Sequence, residues 1–178
     1  RLSEVTEGSL WAGIAAMVAG GTVDVTASDD GLNASSGSGE SMQDSGELIT
    51  ITGGDTTINA EGDGFDSNGS ATMSGGTLTV WGPTRDGNGA LDVNGTFDMS
   101  GGTLLAAGSA GMAVAPSTDS AQGWVFATVS GQAGSTVQIV SGGEVVAEYT
   151  ADKAFATVVY SGTGITSGSS YDVIVDGT

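Results

Sequence analysis

The stretch TGGDTTINAEGDGFDSNG, residues 52–69, decides how this chain is read, because three other stretches can be laid beneath it. They are AGGTVDVTASDDGLNAS (19–35), SGGTLTVWGPTRDGNGALDVNG (74–95) and SGGTLLAAGSAGMA (100–113). Their second glycines, Gly21, Gly54, Gly76 and Gly102, stand 33, 22 and 26 residues apart. Self-similarity at about two dozen residues, broken by irregular inserts, marks a stack of structural repeats. Within each repeat the apolar residues recur at every second position, which is the period of a strand. One inward column runs Val23, Thr56, Leu78, Leu104, and a second runs Val25, Ile58, Val80, Ala106. Upstream of the glycine pairs, Ala16, Ile49, Ala71 and Phe97 form a third, with Val18, Ile51, Met73 and Met99 beside it. The intervening Asp24, Thr57, Thr79 and Leu105 are expected to point outward. The glycine pairs would turn the corners, where a left-handed backbone is needed.

These columns predict an all-β chain, a parallel β-helix solenoid over residues 1–115. Beyond Pro116 the repeat fades, and residues 116–178 read as a β-rich C-terminal cap or small module. Strands are expected there at Trp124–Val129, Thr136–Val140, Glu144–Tyr149, Phe155–Tyr160 and Tyr171–Val175, with a hairpin at Ser141-Gly142-Gly143. Inserts bulge at Ser35–Gly46 and Trp81–Gly89.

Composition excludes much chemistry. The 178 residues hold no cysteine and no histidine, so disulfides, thiol nucleophiles, His-based triads and His/Cys zinc sites are absent. The net charge is −18, and the basic residues are Arg1, Arg85 and Lys153 alone, which argues against a nucleic-acid partner. The 32 glycines are more than twice the usual share of about 7%. No run approaches the roughly 20 apolar residues of a membrane span, and the short Leu10–Val18 run lacks the basic leader of a signal peptide. Acidic surface and absent thiols suit an extracellular, cation-rich setting.

The acidic residues also fall into columns. Asp30, Asp63 and Gly89 share one, Asn33, Asp66 and Asp92 another, and Asn68 stacks on Asn94. Neighbouring strands lie about 4.8 Å apart, and two carboxylates at that distance repel by about 3.5 kcal/mol at an effective dielectric near 20. Full solvation, raised pKa values or a cation would relieve this, and calcium–oxygen distances of about 2.3–2.6 Å place opposite oxygens about one strand spacing apart. Magnesium suits the spacing less well, because it holds a tighter octahedron. Turn preference alone also places Asp and Asn at corners. The Asn-x-Ser/Thr sequons at Asn33, Asn68 and Asn94 offer a third reading, as glycan acceptors.

At these motifs the chain resembles a family of secreted bacterial carbohydrate-binding proteins. The carrying residues are GGTVDVTASDDGLNAS, ITGGDTTINAEGDGFDSNG, MSGGTLTVWG, GALDVNG and MSGGTLLAAGSAGMA, from about Val18 to Ala113. The resemblance implies a right-handed parallel β-helix with bound calcium, similar in fold to pectate-type lyases, and binding of cellulose or acidic polysaccharide. It implies calcium-ligand roles for Asp29, Asp30, Asn33, Asp63, Asp66, Asn68 and Asp92, with Asn94 joining through its stacking on Asn68. The family's Glu-Gly-x-Glu element is replaced by Glu4-Val5-Thr6-Glu7-Gly8, which questions the first metal position.

Three functions follow. The first is a non-catalytic, extracellular calcium-binding and carbohydrate-binding protein, with calcium bridging to uronates. Trp81, in the outward column of Thr26, Asn59 and Ala107, would be the stacking platform for neutral sugars, or would pack beneath its own loop. Arg85, Asp86 and Asn88 of the adjoining insert are candidate ligand contacts, whereas Trp11 and Trp124 are expected in the core or cap. The second is a calcium-dependent lyase with Arg85 as base, or a glycosidase using Asp66 and Asp92. The third is a subunit of a surface adhesin or extracellular fibre that self-associates through open solenoid ends.

Overall fold

The computed structural model describes residues 15–36 and 43–178, and the backbone alone at 5–6 and 10–11. Arg1, Glu4, Glu7, Gly8 and the middle of the Ser35–Gly46 insert lie outside the described residues. The repeats supply two sets of strands. The long ones are β3 (Ala15–Ala27), β5 (Leu48–Ala60), β7 (Ser70–Trp81) and β9 (Phe97–Gly108), preceded by β1 (Val5–Thr6). The short ones are β2 (Leu10–Trp11), β4 (Leu32–Ala34), β6 (Phe65–Ser67) and β8 (Leu91–Val93). The tail contributes β10 (Val125–Ala127), β11 (Thr136–Ser141), β12 (Glu144–Thr150), β13 (Thr157–Ser161) and β14 (Asp172–Val175). Among the described residues no helix is long and apolar enough to cross a membrane.

The described strands form three sheets. One has the order β1-β3-β5-β7-β9-β13-β10, a second β2-β4-β6-β8, and a third β12-β11-β14. The apolar columns stand in register: Val23 pairs with Thr56, Thr56 with Leu78, and Leu78 with Leu104. Ile49, Ala71 and Phe97 do likewise, and all are buried in one apolar cluster with Phe65 and Leu91 of the short strands. The corners need glycine: Gly21, Gly54, Gly76 and Gly102 have φ of 83°, 87°, 82° and 90°. A Cβ on Gly54 would lie 2.7 Å from the Gly21 carbonyl oxygen, and one on Gly76 2.6 Å from that of Gly54. Any side chain there would hold the repeats apart.

The all-β class stands, but the expectation of a parallel β-helix solenoid is corrected. The largest sheet is mixed, because β13 runs antiparallel to β9 and β10 antiparallel to β13, and the third sheet is wholly antiparallel. The physical reason lies in β9. Its outward residues Leu105 and Ala107 are apolar where earlier repeats carry Asp24, Thr57, Thr26 and Asn59. They need cover, and the tail strands supply it. Leu105, Ala107 and Trp81 form a second apolar cluster with Val137, Ile139, Phe155, Val158 and Val175. Lys153 ties this tail to the repeats through the Ala60 carbonyl at 2.8 Å and the Glu61 carboxylate at 2.9 Å.

One core position is at odds with its neighbours. The Thr56 hydroxyl is buried between Val23 and Leu78 and has no hydrogen-bond partner. Removing an unpaired buried hydroxyl while keeping the shape is stabilising. Thr56→Val is therefore expected to raise the unfolding free energy by about 1–2 kcal/mol, read as a later midpoint in urea with an unchanged slope. An earlier midpoint would show that the hydroxyl is satisfied in solution.

Candidate functional site

The short strands position the carboxylates. Leu32, Phe65 and Leu91 are in register and buried, so the next residues, Asn33, Asp66 and Asp92, form a column on the opposite face of the sheet. Trp11 of β2 is in register with Asn33, at the head of that column. Glycine brings the repeats together here too. A Cβ on Gly31 would meet the Gly64 carbonyl oxygen at 2.4 Å, and one on Gly64 the Ala90 carbonyl oxygen at 2.5 Å.

Asp30 and Asp63 each hold the next repeat by its backbone. The Asp63 N–H donates to Asp30 Oδ1 at 2.9 Å, and the Gly89 N–H donates to Asp63 Oδ1 at 2.6 Å. The other Asp30 oxygen, Oδ2, accepts from Asn33 Nδ2 at 3.1 Å, and the nearby Asn33 amide pulls Asp66 downward. Asn33 and Asp66 are only 4% and 7% exposed. Burial pushes Asp66 up to about 7, and the negative charges of Asp30, Asp92 and Asp63 push the same way. Burial raises Asp63 to about 6 against the pull of the Gly89 N–H, with Asp92, Asp30 and Asp29 adding repulsion. Asp92 is raised by burial and by Asp30. The cluster therefore holds more negative charge than its surroundings neutralise.

Asp30, Asn33, Asp63, Asp66 and Asp92 come together; the remaining candidates do not. Asp29 is exposed and contributes its carbonyl to the Gly62 N–H. Asn68 and Asn94 lie beyond the ends of β6 and β8, and Asn68 turns its amide to Ser35 Oγ at 3.0 Å. Burial of Asn33 removes it as a glycan acceptor. Arg85 and Asp86 are exposed on the insert, while the Asn88 carbonyl accepts from Ser109 Oγ. The open platform expected at Trp81 is corrected. Trp81 does occupy the column of Asn59 and Ala107, but it is 6% exposed and packs against Tyr149 with ring centroids 6.4 Å apart.

Sequence reasoning assigned nothing to Glu47, yet its carboxylate is buried and joins Ser36 to Ser45, described residues on either side of the insert's middle. Ser45 Oγ donates to it at 2.7 Å and the Ser36 N–H at 2.9 Å, and these bonds hold it near 2. A lone Glu before an apolar run carries no signal of such a role.

The donors of the cluster are hard oxygens, the kind calcium takes. Asn33 Oδ1 is buried and has no hydrogen-bond partner. Among the described residues no group of three His, Cys, Asp or Glu side chains stands where it could hold a metal ion. In comparisons with known proteins, a family model described as carbohydrate-binding domain-containing protein matches residues 11–172. No curated protein and no solved structure matches.

Proposed function

The chain belongs to the carbohydrate-binding domain-containing protein family, and on that premise we propose that it is a non-catalytic, extracellular binder of acidic polysaccharide that uses calcium at the Asp30–Asp92 cluster. The observation that carries this reading is the cluster itself: four carboxylates and one unpartnered buried amide oxygen, with no ion pair to them among the described residues. Asp30, Asp63, Asp66, Asp92 and Asn33 would hold the ion. Calcium, when bound, would neutralise the cluster and offer positive charge to a uronate carboxylate. The protein's own residues prepare this in two ways. Asp30 and Asp63 lock successive repeats through backbone N–H groups, and the buried Leu32, Phe65 and Leu91 lie beneath the column. An acidic ligand needs such an ion, since a −18 surface otherwise repels it. Arg85, the base a lyase would require, stands exposed on its insert and is not among the groups that act on Asp63 or Asp66.

Calcium titration with thermal melting and glycan binding tests the reading. The melting temperature is expected to climb with free calcium by mass action, and to return on adding EDTA. Oligogalacturonate is expected to bind saturably in millimolar calcium and to be released by EDTA. Binding of cello-oligosaccharides with equal affinity in calcium and in EDTA would move the glycan site away from the cluster.

A further inference from the structure

The chain sets three basic residues, Arg1, Arg85 and Lys153, against 21 acidic ones. Arg1 lies outside the described residues. Lys153 is taken up by Glu61 and the Ala60 carbonyl, with its side chain 14% exposed. Arg85 is exposed, and no carboxylate of the described residues stands within ion-pair distance of it. Its chain neighbour Asp86 lies against Gly111 instead. A Cβ on Gly111 would meet Asp86 Cβ at 2.6 Å and Oδ1 at 3.0 Å, so the missing side chain there is what admits the aspartate.

The loop that carries Arg85 has a fixed base and an exposed tip. The Gly82 N–H donates to the Ala107 carbonyl at 2.8 Å, Ser109 Oγ donates to the Asn88 carbonyl at 2.6 Å, and Pro83 and Gly89 are buried. Thr84, Arg85, Asp86 and Gly87 are exposed, and Gly87, at a φ of 117°, turns the tip. The same loop ends on the acidic column, where the Gly89 N–H donates to Asp63 Oδ1 at 2.6 Å. From Gly89 back to Arg85 the chain spans at most about 14 Å. A ligand a few sugars long that lies along the column therefore comes within reach of the guanidinium.

We propose that Arg85 receives a uronate carboxylate of the bound glycan, its planar guanidinium donating two parallel N–H bonds to the two carboxylate oxygens. The proposal rests on the acidic-polysaccharide reading above, but not on the ion: it gives the ligand a positive group that belongs to the chain itself. In a chain of net charge −18, an unpaired guanidinium keeps its donors for an incoming anion, whereas Lys153, closed on Glu61, does not. The fixed loop base holds the tip in place, so little order has to be created when the ligand arrives.

The test titrates oligogalacturonate into the full chain by calorimetry in millimolar calcium. Arg85→Ala is expected to weaken binding about fivefold, the upper range for an exposed ion pair. Arg85→Glu replaces attraction by repulsion of similar size and is expected to weaken it about 25-fold. Arg85→Lys keeps the charge without the fork and is expected to fall between wild type and Arg85→Ala. All three are expected to melt with the wild type and to answer calcium as it does, because the side chain is exposed. Affinity unchanged in both Arg85→Ala and Arg85→Glu overturns the proposal and leaves the calcium reading standing. Affinity lost in step with a lower melting temperature overturns it as well, since Arg85 would then act on the fold. A wild type whose melting ignores calcium, while the Arg85 variants still bind oligogalacturonate less tightly, supports the proposal and removes the calcium reading alone. A wild type that binds no oligogalacturonate overturns both.

Discussion

Asp66→Asn is expected to weaken calcium binding by about 100-fold, a loss that follows from removing one charged ligand, and at the same time to stabilise the calcium-free protein at neutral pH. Asp66 is raised to about 7 and Asp63 to about 6 from an ordinary 3.8, so the folded protein keeps protons that the unfolded chain has released. Stability falls with pH wherever the native state binds more protons. In EDTA the melting temperature of the wild type should therefore decline as pH rises from about 4 to about 7 and then level off. Asp66→Asn removes the largest contributor, and the decline should become shallower. Calcium should flatten the wild-type curve in the same window, because the ion stabilises the ionised carboxylates. A variant that melts lower than wild type in EDTA at pH 8 would show that the favourable contacts of the Asp66 carboxylate outweigh the crowding of charge.

Phe65→Ala is expected to lower the unfolding free energy by about 3–5 kcal/mol, the usual range for deleting a buried ring, measured by urea unfolding. Phe65 is fully buried and stacks on Phe97 with ring centroids 5.5 Å apart. It links the short-strand sheet to the long-strand sheet, so its loss cannot be absorbed within one element. Its chain neighbour is Asp66, and the column above it depends on the same strand staying in register. Calcium should recover part of the loss by mass action. A deficit below about 1 kcal/mol would mean that Leu32 and Leu91 collapse into the space.

Much of the arrangement was legible in the residues. The glycine pairs and two-residue periods predicted the columns Val23–Thr56–Leu78–Leu104 and Asn33–Asp66–Asp92, and both appear as strand pairings. Repeats that match in sequence must bury equivalent faces, so alignment alone carries register. The tail strands were legible as well: β11 begins at Thr136 and β12 at Glu144, either side of the predicted Gly142-Gly143 turn. The glycines at both turn positions have positive φ.

Trp81 and β9 show where this reading stopped. Alternation correctly placed Trp81 and Leu105 on the face away from the first core, but alternation is a property of one strand and says nothing of what lies across from it. The antiparallel return of β13, the three-stranded sheet over Trp81 and the loss of a uniform solenoid all depend on contacts between segments that share no repeat. The same holds in the cluster. Asp30 and Asp63 were visible as a column, whereas the use of one oxygen of each for the next backbone N–H required coordinates. The sequence by itself determined which residues stack on which, because stacking repeats a local pattern at a set period. Tertiary structure alone decided which faces are covered and which polar atoms are left without partners, because burial and hydrogen bonding between distant segments are written in no local pattern.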